Sequence, residues 1–140
     1  MAIETTLVLI KPDGVRRGLM GAVLSRFEQK GFAIVGAKLL TITEELAAKH
    51  YAEHVQKPFY PELRAFITSG PTLALAVRGE GAVASVRSLM GATNPANAAP
   101  GTIRGDLATI VTENIVHGSD STASAERELA IFFASGEIVA

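Results

Sequence analysis

Residues 6–10 read TLVLI and residues 11–14 read KPDG, and these two neighbouring stretches decide the fold. A run of uncharged, mostly aliphatic residues of this length predicts a strand that is buried in the core. The proline and the glycine that follow it have the chemistry of a turn and end the strand. The sequence therefore predicts a buried strand, followed by a turn that carries a lysine, Lys11.

A helix and a second strand are predicted next. Gly31 has the position of a left-handed C-terminal cap, and an apolar helix face precedes it. Residues 32–42 (FAIVGAKLLTI) are rich in branched side chains, which favour a strand. The apolar face of the helix consists of Met20, Val23, Leu24 and Phe27.

The second helix is predicted from the spacing of Thr41 and Glu44, which fits a capping box. This helix should extend to about Val55, because Pro58 cannot continue it. A short helix is then expected to start at Pro61.

A third strand at 72–77 follows the stop signal Ser-Gly-Pro. After the next helix comes a loop at 91–101, and loops of this length are often functional. A short strand containing His117 and a last helix complete the pattern. The apolar faces of these two helices are Val83, Val86, Leu89 and Met90 for the first, and Ala125, Leu129, Phe132 and Phe133 for the second.

The core elements therefore follow one another as βαβ and again βαβ, which is the pattern of a ferredoxin-like α+β fold, βαββαβ. We expect a four-stranded antiparallel sheet covered on one side by helices. The 140 residues fit a single domain, 1–140, that buries about two thirds of its unfolded surface. Many functions use this fold, so it decides nothing about activity.

The composition limits the possible partners. Thirteen basic and fourteen acidic residues give a net charge of −1, so no global positive field attracts nucleic acid or an anionic membrane. No apolar run approaches the roughly 20 residues that span a bilayer, and no signal peptide is recognisable, which predicts a cytoplasmic protein. The absence of cysteine excludes disulfides and thiolate chemistry. A hydrophobic content of 48% is high enough to suggest subunit interfaces.

Residues 79–84 (GEGAVA) read G-x-G-x-x-A, and with Asp106 further along the chain they resemble a dinucleotide-binding turn. The spacing is loose, and a nucleotide fold with two full halves does not fit this length. We favour a strand-to-helix turn in which glycine relieves backbone strain.

Residues 50–54 (HYAEH) read H-x-x-E-H, the pattern of inverted zinc peptidases, and a helix would place His50 and His54 on one face. A catalytic zinc needs a third protein ligand, and the sequence singles out none. We favour a solvated or interface face of the second helix and predict no metal site formed by the protein alone.

Discrete donors can bind a nucleoside triphosphate even in a chain of low net charge. Lys11, Arg87 and Arg104 each lie at or near the end of a predicted element, although any one of them alone is more often a solvated surface charge. The chain has no Gly-Lys pair, which excludes a Walker A loop. Neutral donors that could accompany the cations are Thr93, Asn114 and Ser119.

His117 lies in residues 114–120 (NIVHGSD). A histidine can itself be phosphorylated on a ring nitrogen, which divides transfer between two nucleotides into two in-line steps. For this the ring must be neutral and held in one tautomer by an acceptor on its other nitrogen, for which Glu128 is the candidate. Gly118 leaves space for a phosphoryl group, yet a histidine at a strand end, taken alone, is more often structural.

With these residues the chain resembles the nucleoside diphosphate kinase family over essentially its whole length. The pattern N-x-x-H-G-S-D is the active-site signature of that family. The other matching blocks occur in the family's order and read TLVLIKPDG, HYAEH, KPF, SGP, TNPANAAPGTIRGD and ERELAIFF.

The resemblance implies ping-pong transfer of the γ-phosphoryl group from a nucleoside triphosphate to a nucleoside diphosphate, with Mg²⁺ bound mainly through the nucleotide phosphates. His117 would be the nucleophile, Glu128 would orient it, and Tyr51 would be an active-site tyrosine beside Lys11. A homo-oligomer, either a hexamer or a tetramer, is implied, with no membrane and no nucleic acid required. The implied nucleotide-binding residues are Lys11 and Asn114 near the sugar 3′-hydroxyl, Arg87, Thr93 and Arg104 at the phosphates, and Phe59 and Val111 at the base.

The chain departs from the family pattern at a few positions. Ala92, Leu107 and Phe132 replace other residues, and all three are interpreted as packing changes. Ala123 stands where relatives often carry a glutamate, so we expect the start of the last helix to be less well capped.

Two other functions compete with the kinase. A ferredoxin-like sheet often binds RNA, so a non-catalytic nucleotide or nucleic-acid binding module is the second hypothesis. The slightly acidic charge balance and the single stacking aromatic residue count against it. A zinc peptidase is the third hypothesis.

Overall fold

The structure is a computed structural model that describes residues 2–139. Its centre is an antiparallel sheet of four strands in the order β2-β3-β1-β4. This order confirms the predicted ferredoxin-like α+β fold. The strands are β1 (Ile3–Ile10), β2 (Ala33–Thr41), β3 (Pro71–Glu80) and β4 (Val116–Gly118).

Residues 2–139 also form seven α-helices and two short 3₁₀ helices, all of which lie between strands except the last α-helix, which follows β4. The 3₁₀ helices are Pro95–Asn97 and Val111–Glu113. The α-helices are α1 (Pro12–Arg16), α2 (Met20–Lys30), α3 (Glu44–His50), α4 (Tyr60–Ile67), α5 (Ala82–Met90), α6 (Ile103–Leu107) and α7 (Thr122–Phe132).

β1 lies in the interior of the sheet. It pairs with β3 from Ile3 opposite Glu80 to Ile10 opposite Leu73, and its last residues also pair with β4. Every residue from 6 to 10 is completely buried. The prediction of a buried strand from TLVLI is therefore confirmed.

Helices cover both faces of the sheet, so the prediction of helices on one side only is wrong. Val8 and Ile10 pack into a cluster with side chains of α2 and α5. Leu7 and Leu9 point to the opposite face, where α3, α4 and α7 contribute the partners. Because the apolar run of β1 does not alternate with polar residues, each of its faces needs a cover.

The start and end of α3 differ from the prediction. Thr43, and not Thr41, caps the helix, because its hydroxyl oxygen accepts a hydrogen bond from the Leu46 N–H at 3.1 Å. Thr41 still belongs to β2. The helix ends at His50 rather than near Val55, and turns follow it. α1 is a further difference, since the KPDG turn begins a one-turn helix.

The structure also places the departures from the family pattern. Phe132 lies in the core, and Leu107 packs against the cluster beneath α5, as expected of packing changes. Ala92 is exposed, so for this position the packing interpretation is wrong. The start of α7 is capped by Ser121, whose hydroxyl accepts a hydrogen bond from the Ser124 N–H at 3.0 Å, and the expectation that it is less well capped than in relatives stays a prediction.

None of the helices described between residues 2 and 139 is long and apolar enough to cross a bilayer.

The assignment of the α3 cap leads to a stability prediction. Thr43→Ala should lower the free energy of unfolding by roughly 1 kcal/mol, because it leaves a helix N–H without its acceptor. Thr41→Ala is the matched control and should cost clearly less, since the Thr41 side chain does not cap the helix. Urea unfolding followed by circular dichroism measures both. A larger loss from Thr41→Ala would contradict the assignment.

Candidate active site

His117 is the middle residue of β4 and lies opposite Leu9 of the central strand. The short strand therefore attaches the histidine to the most buried part of the sheet. Its side chain is 28% exposed, so one side of the ring faces solvent. Its Nε2 atom lies 3.1 Å from Oε1 of Glu128, which projects from α7.

Glu128 is only 5% exposed, and its carboxyl group has two donors. Besides the His117 ring, the Ser119 hydroxyl donates to Oε1 at 2.8 Å. Burial alone would raise the pKa of Glu128, but the hydrogen bonds and the neighbouring His117 outweigh it and hold the pKa below its ordinary value. An ionised carboxylate can only accept hydrogen bonds, so Nε2 of His117 is the donor, and in a neutral ring the lone pair is then on Nδ1.

Ser119 is predicted from the sequence to be a neutral donor for an anion. The structure gives it another partner, because its buried hydroxyl is directed to Glu128. Ser119 therefore supports the carboxylate beside His117.

His50 packs against the ring of His117. The two ring centroids are 4.7 Å apart and the rings meet edge to face. His50 is buried, and within the described chain neither of its nitrogens has a hydrogen-bond partner. Burial, followed by the proximity of His117, lowers the pKa of His50 to about 3, so the ring is neutral at physiological pH.

The exposed side of His117 opens into a cavity of about 270 Å³. Four cations line this cavity together with His117. Lys11, Arg87 and Arg104 are the three that the sequence places at separate element ends, and Arg127 is the fourth. Because the whole chain is close to neutral, this cluster is a local positive field.

The guanidinium group of Arg104 is held by backbone carbonyl groups. It donates to Gly91 at 2.9 Å, to Asn114 at 3.3 Å and to Val116 at 2.6 Å. Burial, followed by the charge of Arg87, lowers its pKa to about 10, so it keeps its charge at neutral pH. Arg87 donates to the Gly118 carbonyl group at 3.2 Å.

Lys11 follows β1 directly and is partly buried at the edge of the cavity. Burial lowers its pKa to about 8, Asp13 opposes this change and Arg104 adds to it. Its Nζ atom donates to the side-chain oxygen of Asn114. The amide nitrogen of Asn114 in turn donates to the Thr93 carbonyl group at 2.9 Å.

A second, more apolar groove adjoins the cavity, and Lys11 lines both. Phe59 and Val111 face this groove and are 51% and 50% exposed. A flat apolar group bound between them would therefore lie next to the cationic cavity.

Tyr51 lines the cavity near the end of α3, with its ring centroid 4.5 Å from that of His50. Burial raises the pKa of its hydroxyl group, so Tyr51 is neutral at physiological pH.

Asp13 and Ile115 are not among the site residues that the sequence predicts, yet they connect the parts of the site. Ile115 has φ +71°, the one positive φ of a non-glycine residue in the part of the chain that is described. This conformation costs an L-residue roughly 1–2 kcal/mol. The Ile115 N–H donates to Oδ2 of Asp13 at 3.0 Å, and its carbonyl group accepts from the Lys11 N–H at 2.8 Å. No local pattern in the sequence indicates this contact.

The zinc-peptidase pattern at 50–54 is not assembled. The helix ends before His54, whose Nδ1 lies 3.0 Å from Nζ of Lys57. Within residues 2–139 one group of three possible ligands does come together, and it joins His50 to His117 and Glu128 with ligand atoms within 4.8 Å of one another. Glu128 already accepts two hydrogen bonds there.

The G-x-G-x-x-A stretch forms the strand-to-helix turn that we favour from the sequence. Gly81 adopts a left-handed conformation with φ +57° at the start of α5. Gly79 lies in β3, where the Phe32 ring occupies the space that a side chain would need. Packing therefore explains the glycine at position 79, and backbone conformation explains the glycine at position 81.

Comparison with known proteins gives a consistent result. A family model described as nucleoside diphosphate kinase matches residues 4–138. A nucleoside diphosphate kinase of Moorella thermoacetica is 58% identical over 138 residues, covering 99% of both chains. One of Thermus thermophilus is 57% identical over 137 residues, covering 98% of this chain and 100% of the relative.

Comparison with solved structures agrees with these sequence matches. A halophilic nucleoside diphosphate kinase from Halobacterium salinarum in complex with CDP superposes with a TM-score of 0.96 at 50% identity, covering 99% of this chain and 93% of the other. A nucleoside diphosphate kinase family protein from Babesia bovis gives 0.95 at 43% identity, with coverages of 98% and 93%.

The contact between His117 and Glu128 generates a prediction about the histidine tautomer. In the unmodified protein, ¹⁵N NMR should show the neutral His117 ring as the Nε2–H form, because Glu128 accepts that proton. Glu128→Ala should let the two tautomers mix. Glu126→Ala, on the exposed side of the same helix, is the control and should change nothing. A dominant Nδ1–H form in the unmodified protein would refute the assignment.

Proposed function

We propose that this chain, which belongs to the nucleoside diphosphate kinase family, transfers the γ-phosphoryl group of a nucleoside triphosphate to a nucleoside diphosphate in two steps through His117. Membership makes the chain a phosphotransferase, and nucleoside diphosphate kinase activity is the function that its relatives carry. The covalent intermediate, the roles of the single residues and the breadth of specificity are our proposal. The observation that carries it is an imidazole with one nitrogen in contact with a buried carboxylate, beside a cavity lined by cations.

The first step begins at Nδ1 of His117. Its lone pair attacks the γ-phosphorus, the bond between that phosphorus and the β,γ-bridging oxygen breaks, and the nucleoside diphosphate leaves with the electron pair. The ring becomes positively charged as the new bond forms. The ionised Glu128, which accepts the Nε2 proton in a hydrogen bond, stabilises this charge.

The second step reverses the first with another nucleotide. A terminal β-phosphate oxygen of the acceptor diphosphate attacks the same phosphorus, and the bond to Nδ1 breaks. His117 regains its lone pair and its neutral form. Over the two steps one phosphoanhydride bond is broken and a nearly identical one is formed. The protein therefore has only to lower the barrier by positioning and charge neutralisation.

The cations neutralise the phosphates. Arg87 and Arg104 would donate to phosphate oxygens beside His117, with the Thr93 hydroxyl as a neutral donor, since all three line the cavity. Lys11 and Asn114 already contact each other and would bind the sugar 3′-hydroxyl region. Tyr51, with a neutral hydroxyl group, would act as a donor beside Lys11.

The apolar groove suggests how the base binds. Phe59 and Val111 are half exposed and face the same groove, so a base can lie against the ring of Phe59 on one side. Stacking uses the π face that every base has and does not read the edges that distinguish one base from another. We therefore propose that purines and pyrimidines, with ribose or deoxyribose, are all accepted.

The donor set of the cavity fits Mg²⁺ that arrives with the nucleotide. Mg²⁺ prefers oxygen ligands and keeps several waters. Three carboxylates line the cavity among several cations, and of these Glu53 and Asp120 do not contact His117, whereas Glu128 does. Bound through the phosphates, Mg²⁺ would neutralise part of their charge.

We also propose a cytoplasmic homo-oligomer, a hexamer or a tetramer, that needs neither a membrane nor nucleic acid. The exposure of two apolar side chains supports this proposal. Ile3 and Leu39 lie on the sheet, and each is more than half exposed, as side chains in a subunit interface are before assembly.

The intermediate can be tested directly. After exposure to ATP and Mg²⁺, the protein should carry one phosphate that is labile in acid and stable in alkali, located by mass spectrometry in the peptide that contains His117. His117→Ala should abolish this label and the transfer while ADP still binds. Full turnover by purified His117→Ala protein, or a stable phosphoserine, would reject the mechanism.

The same labelled protein tests specificity. GDP, CDP, UDP and dTDP should each remove the phosphate and give the corresponding triphosphate, with rates within about tenfold of one another, because stacking does not discriminate base edges. Discharge by a single base only would contradict broad tolerance.

The lowered pKa of Lys11 predicts a pH dependence of binding. Below its pKa of about 8 Lys11 is charged in the empty site, and above it the charge is lost before the nucleotide arrives. The affinity for ADP should therefore fall as the pH rises through about 8, while Arg104, with a pKa of about 10, keeps its charge. Titration calorimetry on both sides of this pH measures the change.

Lys11→Ala is the control for this experiment. It should bind ADP more weakly at neutral pH, and its affinity should not fall as the pH rises through about 8, because the titrating group is gone. A decrease in affinity of the same size in Lys11→Ala would show that another group is responsible.

A further inference from the structure

We propose that Asp13 is a positioning residue: by holding Ile115 in its left-handed conformation, it fixes the orientation of His117 relative to the cations of the cavity. The inference rests on the proposed role of His117 as the phosphoryl acceptor. It gives a function to a buried carboxylate that contacts no substrate group in the proposed mechanism.

Ile115 joins the two parts of the site. Asn114, immediately before it, contacts the Lys11 ammonium group and the Thr93 backbone. Immediately after it β4 begins, with His117 as its second residue. Because these neighbours are joined through one residue, a change in the φ angle of Ile115 would move His117 relative to Lys11.

The backbone of Ile115 is held on both sides by the segment that follows β1. Its N–H donates to Oδ2 of Asp13 at 3.0 Å, and its carbonyl group accepts from the Lys11 N–H at 2.8 Å. The residue that supplies the cavity with an ammonium group and the residue that supports the His117 strand are thus two positions apart in the chain.

Asp13 is an unexpected residue for this place. It is 2% exposed, and its second oxygen, Oδ1, is buried with no hydrogen-bond partner among the described residues. A buried carboxylate with an unsatisfied oxygen is unfavourable, so a local gain must outweigh it. The hydrogen bond to a backbone N–H in a strained conformation is the gain that the structure shows.

The side chain of Ile115 is held as firmly as its backbone. A Cβ atom on Gly14 would lie 3.0 Å from Cγ2 of Ile115 and 2.9 Å from Cγ2 of Ile10, so the backbone of α1 packs directly on Ile115. The side chain of Ile115 is completely buried. The strained residue therefore cannot relax unless the Asp13 contact and this packing both change.

Asp13 also acts through its charge. Its carboxylate raises the pKa of Lys11 against the effect of burial. A loss of activity on removing Asp13 would therefore be ambiguous, and a test must separate the hydrogen bond to Ile115 from the charge near Lys11.

Two substitutions at position 115 make this separation. Glycine adopts φ +71° without strain, whereas alanine has the strain of any L-residue, and both remove the branched side chain. We would measure single-turnover phosphorylation of His117 by ATP and Mg²⁺ in the unmodified protein, in Ile115→Gly and in Ile115→Ala, each with and without Asp13→Ala. ADP affinity and circular dichroism are recorded for all six proteins.

In the unmodified background and in the Ile115→Ala background, Asp13→Ala should lower the phosphorylation rate about tenfold or more, because the histidine is displaced. In the Ile115→Gly background the loss should be less than about threefold, because no strained conformation needs support. Equal losses in all three backgrounds, or no loss in the unmodified background, would overturn the inference. Absence of phosphorylation in the unmodified protein would instead reject the proposed function.

Asp13→Asn decides the question if Asp13→Ala fails to fold. Its amide oxygen keeps the acceptor for the Ile115 N–H and removes the charge. A rate within about threefold of the unmodified protein supports the positioning role. A loss of about tenfold or more would assign the effect to the charge near Lys11 and overturn the inference.

Discussion

The hydrogen bond between His117 and Glu128 is the interaction on which the proposed chemistry of the site depends. Because Glu128 is ionised and can only accept, it determines which ring nitrogen carries the proton and which has a free lone pair. It also joins β4 to α7, so the same contact that selects the tautomer fixes the ring to the fold. Ser119 and His50 complete this arrangement, one by donating to the carboxylate and the other by packing an uncharged ring against the histidine.

The proposed phosphoryl transfer makes two demands: the site must be positive enough to bind phosphates, and it must still leave the histidine uncharged. The immediate neighbours of the His117 ring answer the second demand. The His117 ring itself contacts a carboxylate and a neutral imidazole, whereas the cations Arg87 and Arg127 approach the neighbouring Gly118 carbonyl group and the Glu128 carboxylate. Burial works against the charge of Lys11, and Asp13 compensates part of this effect. The low net charge of the whole chain is therefore compatible with a cluster of cations in the pocket, because cations from separate segments meet in one place.

Most of the fold is predictable from the sequence because the information for it is local. The run at 6–10 is apolar throughout, and the helix faces repeat at helical spacing. The prediction is wrong where tertiary contacts decide: α3 stops at His50, whose ring packs against His117 and Phe132 from distant parts of the chain. The cap at Thr43 instead of Thr41 has a similar cause, since β2 pairs with β3 as far as Thr41. The conformation of Ile115 is invisible in the sequence for the same reason, because the acceptor of its N–H lies 102 residues away.

Arg104 combines an observed structural role with the proposed role of binding phosphate. Its guanidinium group donates to three carbonyl groups, one at the end of α5, one in the turn before β4 and one in β4 itself, and it thereby holds these segments together. A guanidinium group has five N–H donors, so this framework role leaves some of them free to face the cavity. Lysine in its place would have three donors from one point and could not connect segments in different directions. The same geometry therefore stabilises the loop and orients the positive charge, and neither role can be removed without the other.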